Sequence, residues 1–199
     1  MAKLKAITVC CGSSDGKDVR FGEMASELGT YLAENNITLV YGGAQVGLMG
    51  MVANALLKKG GTAIGVIPEF LSAKEIVHHG LSQLFVVDTM HERKAKMNEY
   101  CDGVIALPGG YGTLEELFEM LTWGQLGLHH KPIGVLNVNG YYDHLKNLLN
   151  HMVDQRLLSS ENRDMLIFDH SVDGLIHKME QYHPKKVDKW FGRMSASEI

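Results

Sequence analysis

The chain has 199 residues, 45% of them hydrophobic and 21% charged, proportions that suit one α/β domain able to bury a core without metals or disulfides. A formal net charge of -4 excludes a general polynucleotide binder, which needs a basic face, but leaves room for a small phosphorylated ligand. Three cysteines, Cys10, Cys11 and Cys101, show neither CxxC nor zinc-ligand spacing and read as small buried residues of a protein from a reducing compartment.

The first six residues carry positive charge but lack the apolar run of a signal peptide, and no segment approaches membrane-spanning length. The expectation is a soluble, cytoplasmic protein with no membrane partner and no nucleic-acid partner. Residues 4–11 read as a first strand, with Ile7 and Val9 β-branched, ending at Gly12-Ser13-Ser14. A helix is expected over residues 19–34 and a second strand over 37–41. Gly42-Gly43-Ala44-Gln45-Val46-Gly47-Leu48-Met49-Gly50 then forms a strand–glycine–helix junction, its helix continuing through Ala53, Leu56 and Leu57. Residues 62–67 read as a third strand. A loop-rich stretch with Pro68, Ser72, Glu75 and His78-His79 precedes a fourth strand at 84–87.

After that strand, Thr89 and Glu92 have capping-box spacing and predict a helix start. Met90, Arg93, Lys94 and Met97 follow at intervals of three and four and so share one face. An arginine among methionines on a partly buried stripe is costly unless an anion meets it. That anion is Glu116, a substrate phosphate or both; the bland alternative is an Arg93 that snorkels to water in a structural ion pair. Residues 104–107 are a fifth strand and 133–136 a sixth, with helical character over 117–126, where Phe118 and Trp123 read as core. His129-His130 read as surface residues of a turn, and residues 183–199 as a tail beyond a single domain of residues 1–182.

Between the fifth strand and its helix lies Pro108-Gly109-Gly110-Tyr111-Gly112-Thr113-Leu114-Glu115-Glu116. Strand, glycine turn and helix in that order form an anion cradle, because glycines admit a phosphate to the backbone and the helix start attracts it. The stretch also fits an ordinary βα turn, with Thr113 to Glu116 as a capping box and two carboxylates in a first helical turn. The wider pattern favours the site. Strands alternating with helices predict a doubly wound, mostly parallel, three-layered sheet, and ligands on such sheets bind at strand carboxyl ends near a switch point. The glycine turns after strands one, two and five all fall at such ends and can converge on one crevice.

Other chemistries lack their residues. Cys11-Gly12-Ser13-Ser14-Asp15-Gly16 is not GxGxxG and no Walker A lysine pattern appears, which disfavours an NAD-dependent oxidoreductase. No HExxH or carboxylate cluster has metal-ligand spacing, so no metal is expected.

The segments Gly42 to Gly50, Met90-His91-Glu92-Arg93-Lys94-Ala95-Lys96-Met97 and Pro108 to Glu116 resemble the Lonely Guy (LOG) family. Its members are cytokinin riboside 5′-monophosphate phosphoribohydrolases, often labelled lysine decarboxylase-like. The resemblance runs from the first strand to about residue 180, and the PGGxGTxxE and MHxRKxxM motifs are specific to it. It implies a Rossmann-like homodimer that hydrolyses the N-glycosidic bond of a nucleoside 5′-monophosphate without a cofactor. By the same resemblance Arg93 and Glu116 are the catalytic pair. Glu75, Lys94, Gly110, Tyr111, Gly112, Thr113, Leu114, Glu115 and Thr122 line the nucleotide site. Ser13, Gly43 and Gly109, in the turns themselves, complete the candidate substrate contacts. One departure is visible: Ala44 stands where many relatives have a third glycine. Two rivals remain. A non-catalytic nucleotide carrier would keep the cradle but has no need of Arg93 opposite Glu116. A pyridoxal-phosphate decarboxylase needs a Schiff-base lysine, and Lys94, the one lysine in the motifs, already has another explanation.

Overall fold

The structure is a computed structural model that describes residues 3–72 and 77–184, so Glu75 and nearly all of the tail, residues 185–199, lie outside the described residues. In chain order the elements are β1 (Ala6–Cys10), α1 (Val19–Glu34), β2 (Thr38–Tyr41), α2 (Gly47–Lys58), β3 (Ala63–Pro68), the single-turn α3 (Glu69–Ser72), β4 (Gln83–Val87), α4 (Met90–Glu99), β5 (Gly103–Ala106), α5 (Tyr111–Gln125), β6 (Ile133–Leu136), α6 (Asp143–Asp154), α7 (Ser160–Arg163), β7 (Leu166–Asp169) and α8 (Val172–Glu180).

Alternation along the strands builds the layers. Ile7 and Val9 of β1 point to one face, where they pack with Leu28 and Leu32 of α1, Val52 and Leu56 of α2, and Leu175 and Ile176 of α8. Cys10 points to the other face, among Val104 and Ala106 of β5, Leu117 and Met120 of α5, and Leu149 of α6. Val40 of β2, Val66 of β3 and Met97 of α4 extend that second layer toward the β4 edge. Helices on both faces leave the central strands buried twice over, which explains their continuous apolar character.

All neighbouring strands are parallel, in the order β4-β3-β2-β1-β5-β6-β7. The chain works outward from β1 to β4, then returns across β1 to place β5 on its other side. The switch point therefore falls between β1 and β5, where the carboxyl ends diverge into turns on opposite sides. Among the described residues no helix is long and apolar enough to cross a membrane.

The six expected strands are present, each within two residues of its expected bounds, and α1 spans Val19–Glu34 as the pattern predicts. A seventh strand, β7, pairs with β6 at the sheet edge. Its Leu-Ile-Phe-Asp is too short for a period to show, and it becomes a strand by adding to an edge already formed. Between β3 and β4 the described chain has only the one turn of α3, not a crossover helix. His129 is buried rather than on the surface; its Nε2 lies 2.9 Å from the Met120 carbonyl, closing the last turns of α5 against the next loop.

Candidate active site

The crevice is made by three turns that are tied together. The Gly12 N–H donates to the Pro108 carbonyl at 3.0 Å, joining the turn after β1 to the turn after β5. The Leu48 N–H donates to the Gly12 carbonyl at 3.0 Å, joining the first turn of α2 to the same loop. Gly47 has a left-handed φ of +60°, and a Cβ there would run into the backbone of Ser13. This junction needs glycine for both conformation and space. The result is a cleft of about 250 Å³ whose lining includes Ser13, Gly42, Arg93, Gly110, Thr113 and Glu116.

The cradle differs from the expected capping box in an instructive way. Gly110 is the N-cap of α5 and has no side-chain cap bond, and the helix begins at Tyr111. Thr113 is therefore buried within the first turn, and Glu115 and Glu116 fall in the second turn, not the first. A glycine at the cap costs little, and the good helix formers Leu114, Glu115, Glu116 and Leu117 offset the weak Tyr111-Gly112-Thr113 of the first turn. The consequence is functional. The first N–H groups of α5 meet the cleft with no carboxylate of their own helix covering them, which leaves the positive helix end for an anion. Tyr111 stands at the lip of the cleft, 95% exposed.

The opposite wall is α4. Thr89 caps it: its Oγ1 accepts from the Glu92 N–H at 3.1 Å, while Glu92 Oε2 accepts from the Asp88 N–H at 3.1 Å. One turn into the helix Arg93 points inward and is only 7% exposed. Its Nη2 lies 3.6 Å from Glu116 Oε1 and its Nη1 lies 3.8 Å from the Met90 sulfur, while Nε is buried with no hydrogen-bond partner among the described residues. The anion that the methionine-flanked arginine requires is thus Glu116. Burial pushes the Glu116 pKa above the usual carboxylate range, against the pull of the Arg93 charge and of the Cys10 thiol. Burial first, and the Glu116 charge second, raise the Cys10 thiol, so it faces the carboxylate as an uncharged S–H.

Of the residues singled out in the sequence, the structure brings Ser13, Arg93, Gly110, Tyr111, Gly112, Thr113, Glu115 and Glu116 to one cleft. Others lie elsewhere. Lys94 bridges α4 to α5 through Glu115 at 2.5 Å and Glu119 at 3.0 Å, so its ammonium is spent on a helix–helix tie. Gly43 turns away under His78, whose N–H donates to the Gly43 carbonyl at 2.9 Å. Ala44, the departure from the glycine pattern, is buried and bridges to Val77. Leu114 packs into the core layer under α5, and Gly109 accepts from the Tyr141 hydroxyl at 2.7 Å beside a neighbouring cleft. Thr122 is exposed on α5, its Oγ1 donating to the Phe118 carbonyl at 2.7 Å. Glu75 lies outside the described residues. The cleft adds Gly42, Met49 and Cys11, which the sequence reading passed over as turn and core. Their signal is position: Cys11 and Gly42 lie just beyond the ends of β1 and β2, and Met49 lies in the first turn of α2.

Taken together, the groups present are an anion-binding helix start, a buried arginine and a buried carboxylate with a raised pKa in one cleft. That set can hold a phosphate, orient a polar substrate beside it and stabilise a developing positive charge.

Residues 49–179 match the family described as possible lysine decarboxylase. A cytokinin riboside 5′-monophosphate phosphoribohydrolase of Arabidopsis thaliana is 46% identical over 184 residues, 92% of this chain and 86% of the relative. One from Rhodococcoides fascians is 47% identical over 173 residues, 86% of this chain and 87% of the relative. Among solved structures, the molybdenum cofactor binding protein from Rippkaea orientalis shares the fold with a TM-score of 0.66. It is 22% identical, and the match covers 91% of this chain and 98% of that one. Identity that low speaks for the fold alone, whereas the two phosphoribohydrolases are identical to this chain at nearly half of their aligned residues. The chain belongs to the Lonely Guy (LOG) family.

Proposed function

We propose that the chain hydrolyses the N-glycosidic bond of an adenosine 5′-monophosphate, plain or N6-modified as in a cytokinin riboside 5′-monophosphate, to a free base and ribose 5-phosphate. The observation that carries this is the Arg93–Glu116 pair, buried 3.6 Å apart beside the uncapped start of α5. Relatives named for this reaction, 46% and 47% identical, support the same reading.

The phosphate sits on the N–H groups at Gly110, Gly112 and Thr113, which places the ribose beside the second turn of α5. The C1′–N9 bond breaks with its electron pair leaving on the base, and positive charge develops at C1′ and the ring oxygen. Glu116, ionised and held by Arg93, stabilises that charge or orients the incoming water. Water adds its oxygen to C1′ and a proton goes to the base, so atoms and charge balance without a metal or cofactor. Arg93 pulls the carboxylate toward its charged form, against the burial that favours the protonated one. The working form is read as a cytoplasmic homodimer, its hydrolase domain spanning residues 1–182 and its tail 183–199.

The test is release of base and ribose 5-phosphate from AMP and from N6-isopentenyl-AMP. Wild type cleaves at least one. Glu116→Ala and Arg93→Ala each lower kcat by about 10²-fold or more, the scale of general acid–base and charge-stabilising groups. Nucleotide binding without any release from either substrate would overturn the hydrolase and support a carrier on the same fold.

A further inference from the structure

Gly42, the first residue past β2, lines the cleft next to Arg93. Its backbone lies outside the left-handed region, unlike its neighbour Gly43 at φ +77°, so conformation does not demand a glycine there. Space does. A Cβ at residue 42 would overlap Nη2 of Arg93 and lie 3.3 Å from its Cζ and 3.2 Å from the Met49 sulfur. Arg93 is the same side chain whose Nη2 faces Glu116, and its head is too buried to step aside into water.

We propose that Gly42 is a positioning residue: its missing side chain is the slot that the Nη2 end of the Arg93 guanidinium occupies at the end of β2, from which it reaches Glu116. Any side chain at residue 42 moves Nη2, the atom that faces the carboxylate. Met90 on one side and Met49 on the other fill the remaining walls with polarisable, apolar atoms. Their thioether sulfurs are weak acceptors, and that of Met90 takes Nη1, which leaves Nη2 to Glu116. Nε, unpaired among the described residues, fits this account, because an unpaired donor costs stability and is tolerated where neighbouring packing dictates the position of the group. The role of Gly42 in turnover rests on the hydrolase reading, but its effect on Arg93 and Glu116 does not.

Two measurements on the full chain separate these. The first follows the Glu116 carboxyl by carbon-13 NMR titration, with no substrate. Glu116 faces Arg93 and Lys94 from α4, Glu115 from its own helix and Cys10 from β1, and of these Arg93 supplies the largest pull toward the charged form. Gly42→Ala is expected to move the Glu116 titration to higher pH in the wild-type background and to leave it unmoved in Arg93→Ala. The second is turnover of AMP or its N6-substituted form. Gly42→Ala lowers kcat by about 10²-fold, the cost of misplacing a working group by about an ångström, with a smaller change in KM. In an Arg93→Ala background it lowers kcat no further. A wild type without turnover would sink the hydrolase alone and leave the titration to decide the slot. Additive losses, or an unmoved titration in Gly42→Ala, would overturn the slot. Should Gly42→Ala fail to fold, the double variant decides: recovery of folding when Arg93 is removed supports the slot, and failure overturns it.

Discussion

Glu116 is a carboxylate withheld from water, and the cost of keeping it there is measurable. Burial raises its folded pKa above the ordinary 4.5 despite Arg93, so the folded state binds its proton more tightly than the unfolded chain does. The sign follows from linkage: the stability associated with the protonated form is fully present below about pH 4.5 and is lost as pH rises through the folded value. Glu116→Gln, which mimics the protonated acid, should therefore match wild type in urea denaturation below that pH. It should be the more stable protein at neutral pH, with the gain levelling off above the raised pKa, while catalysis is lost. A variant equally stable or less stable at neutral pH would mean that the carboxylate is not under this strain. Such a trade of stability against activity is the usual mark of a working site.

Arg93 can serve the site only if α4 starts where it does. The start is set by Thr89, whose hydroxyl takes the Glu92 N–H, and by Glu92, which returns to the Asp88 N–H. Thr89→Ala should destabilise the protein by about 1 kcal/mol, the typical worth of an N-cap, and Thr89→Ser by much less. Chemical denaturation of the three proteins checks this, and equal stability of all three would show that the cap is not used. This cap was legible in the sequence because Thr89 and Glu92 sit three apart just before a periodic stretch. The same spacing at Thr113 and Glu116 misled, because Gly110 offered the helix an earlier start and Tyr111 and Gly112 were free to join it. Local rules list the starts available to a helix; the turn it must leave selects among them.

At the scale of the molecule, Thr122 bears on assembly. It lies nine residues beyond Thr113 on α5, roughly 13 Å along the helix axis at about 1.5 Å per residue, and it is exposed. A nucleotide-binding role for it, implied by the family resemblance, requires a second copy that brings this face of α5 to another cleft. Light scattering should give twice the 22.0 kDa chain mass, and Thr122→Arg should reduce both that mass and turnover. A fully active species of single-chain mass would discard the dimer and the role of Thr122 together.

Six strands, the long first helix, the three glycine turns at strand carboxyl ends and the need of Arg93 for an anion were all legible in the amino-acid order. Each is written in short-range spacing: β-branched runs, glycines at strand ends, and methionines three and four residues from an arginine. Tertiary structure alone decided the rest. The return of the chain across β1 placed α4 and α5 on the same face, so that Arg93 met Glu116 and Lys94 met Glu115 and Glu119. The same packing turned Gly42 toward the guanidinium and Gly43 away from it. Neighbouring glycines are alike in sequence, and only the side chains brought against them from distant elements give one a role in the site and the other a role in the turn.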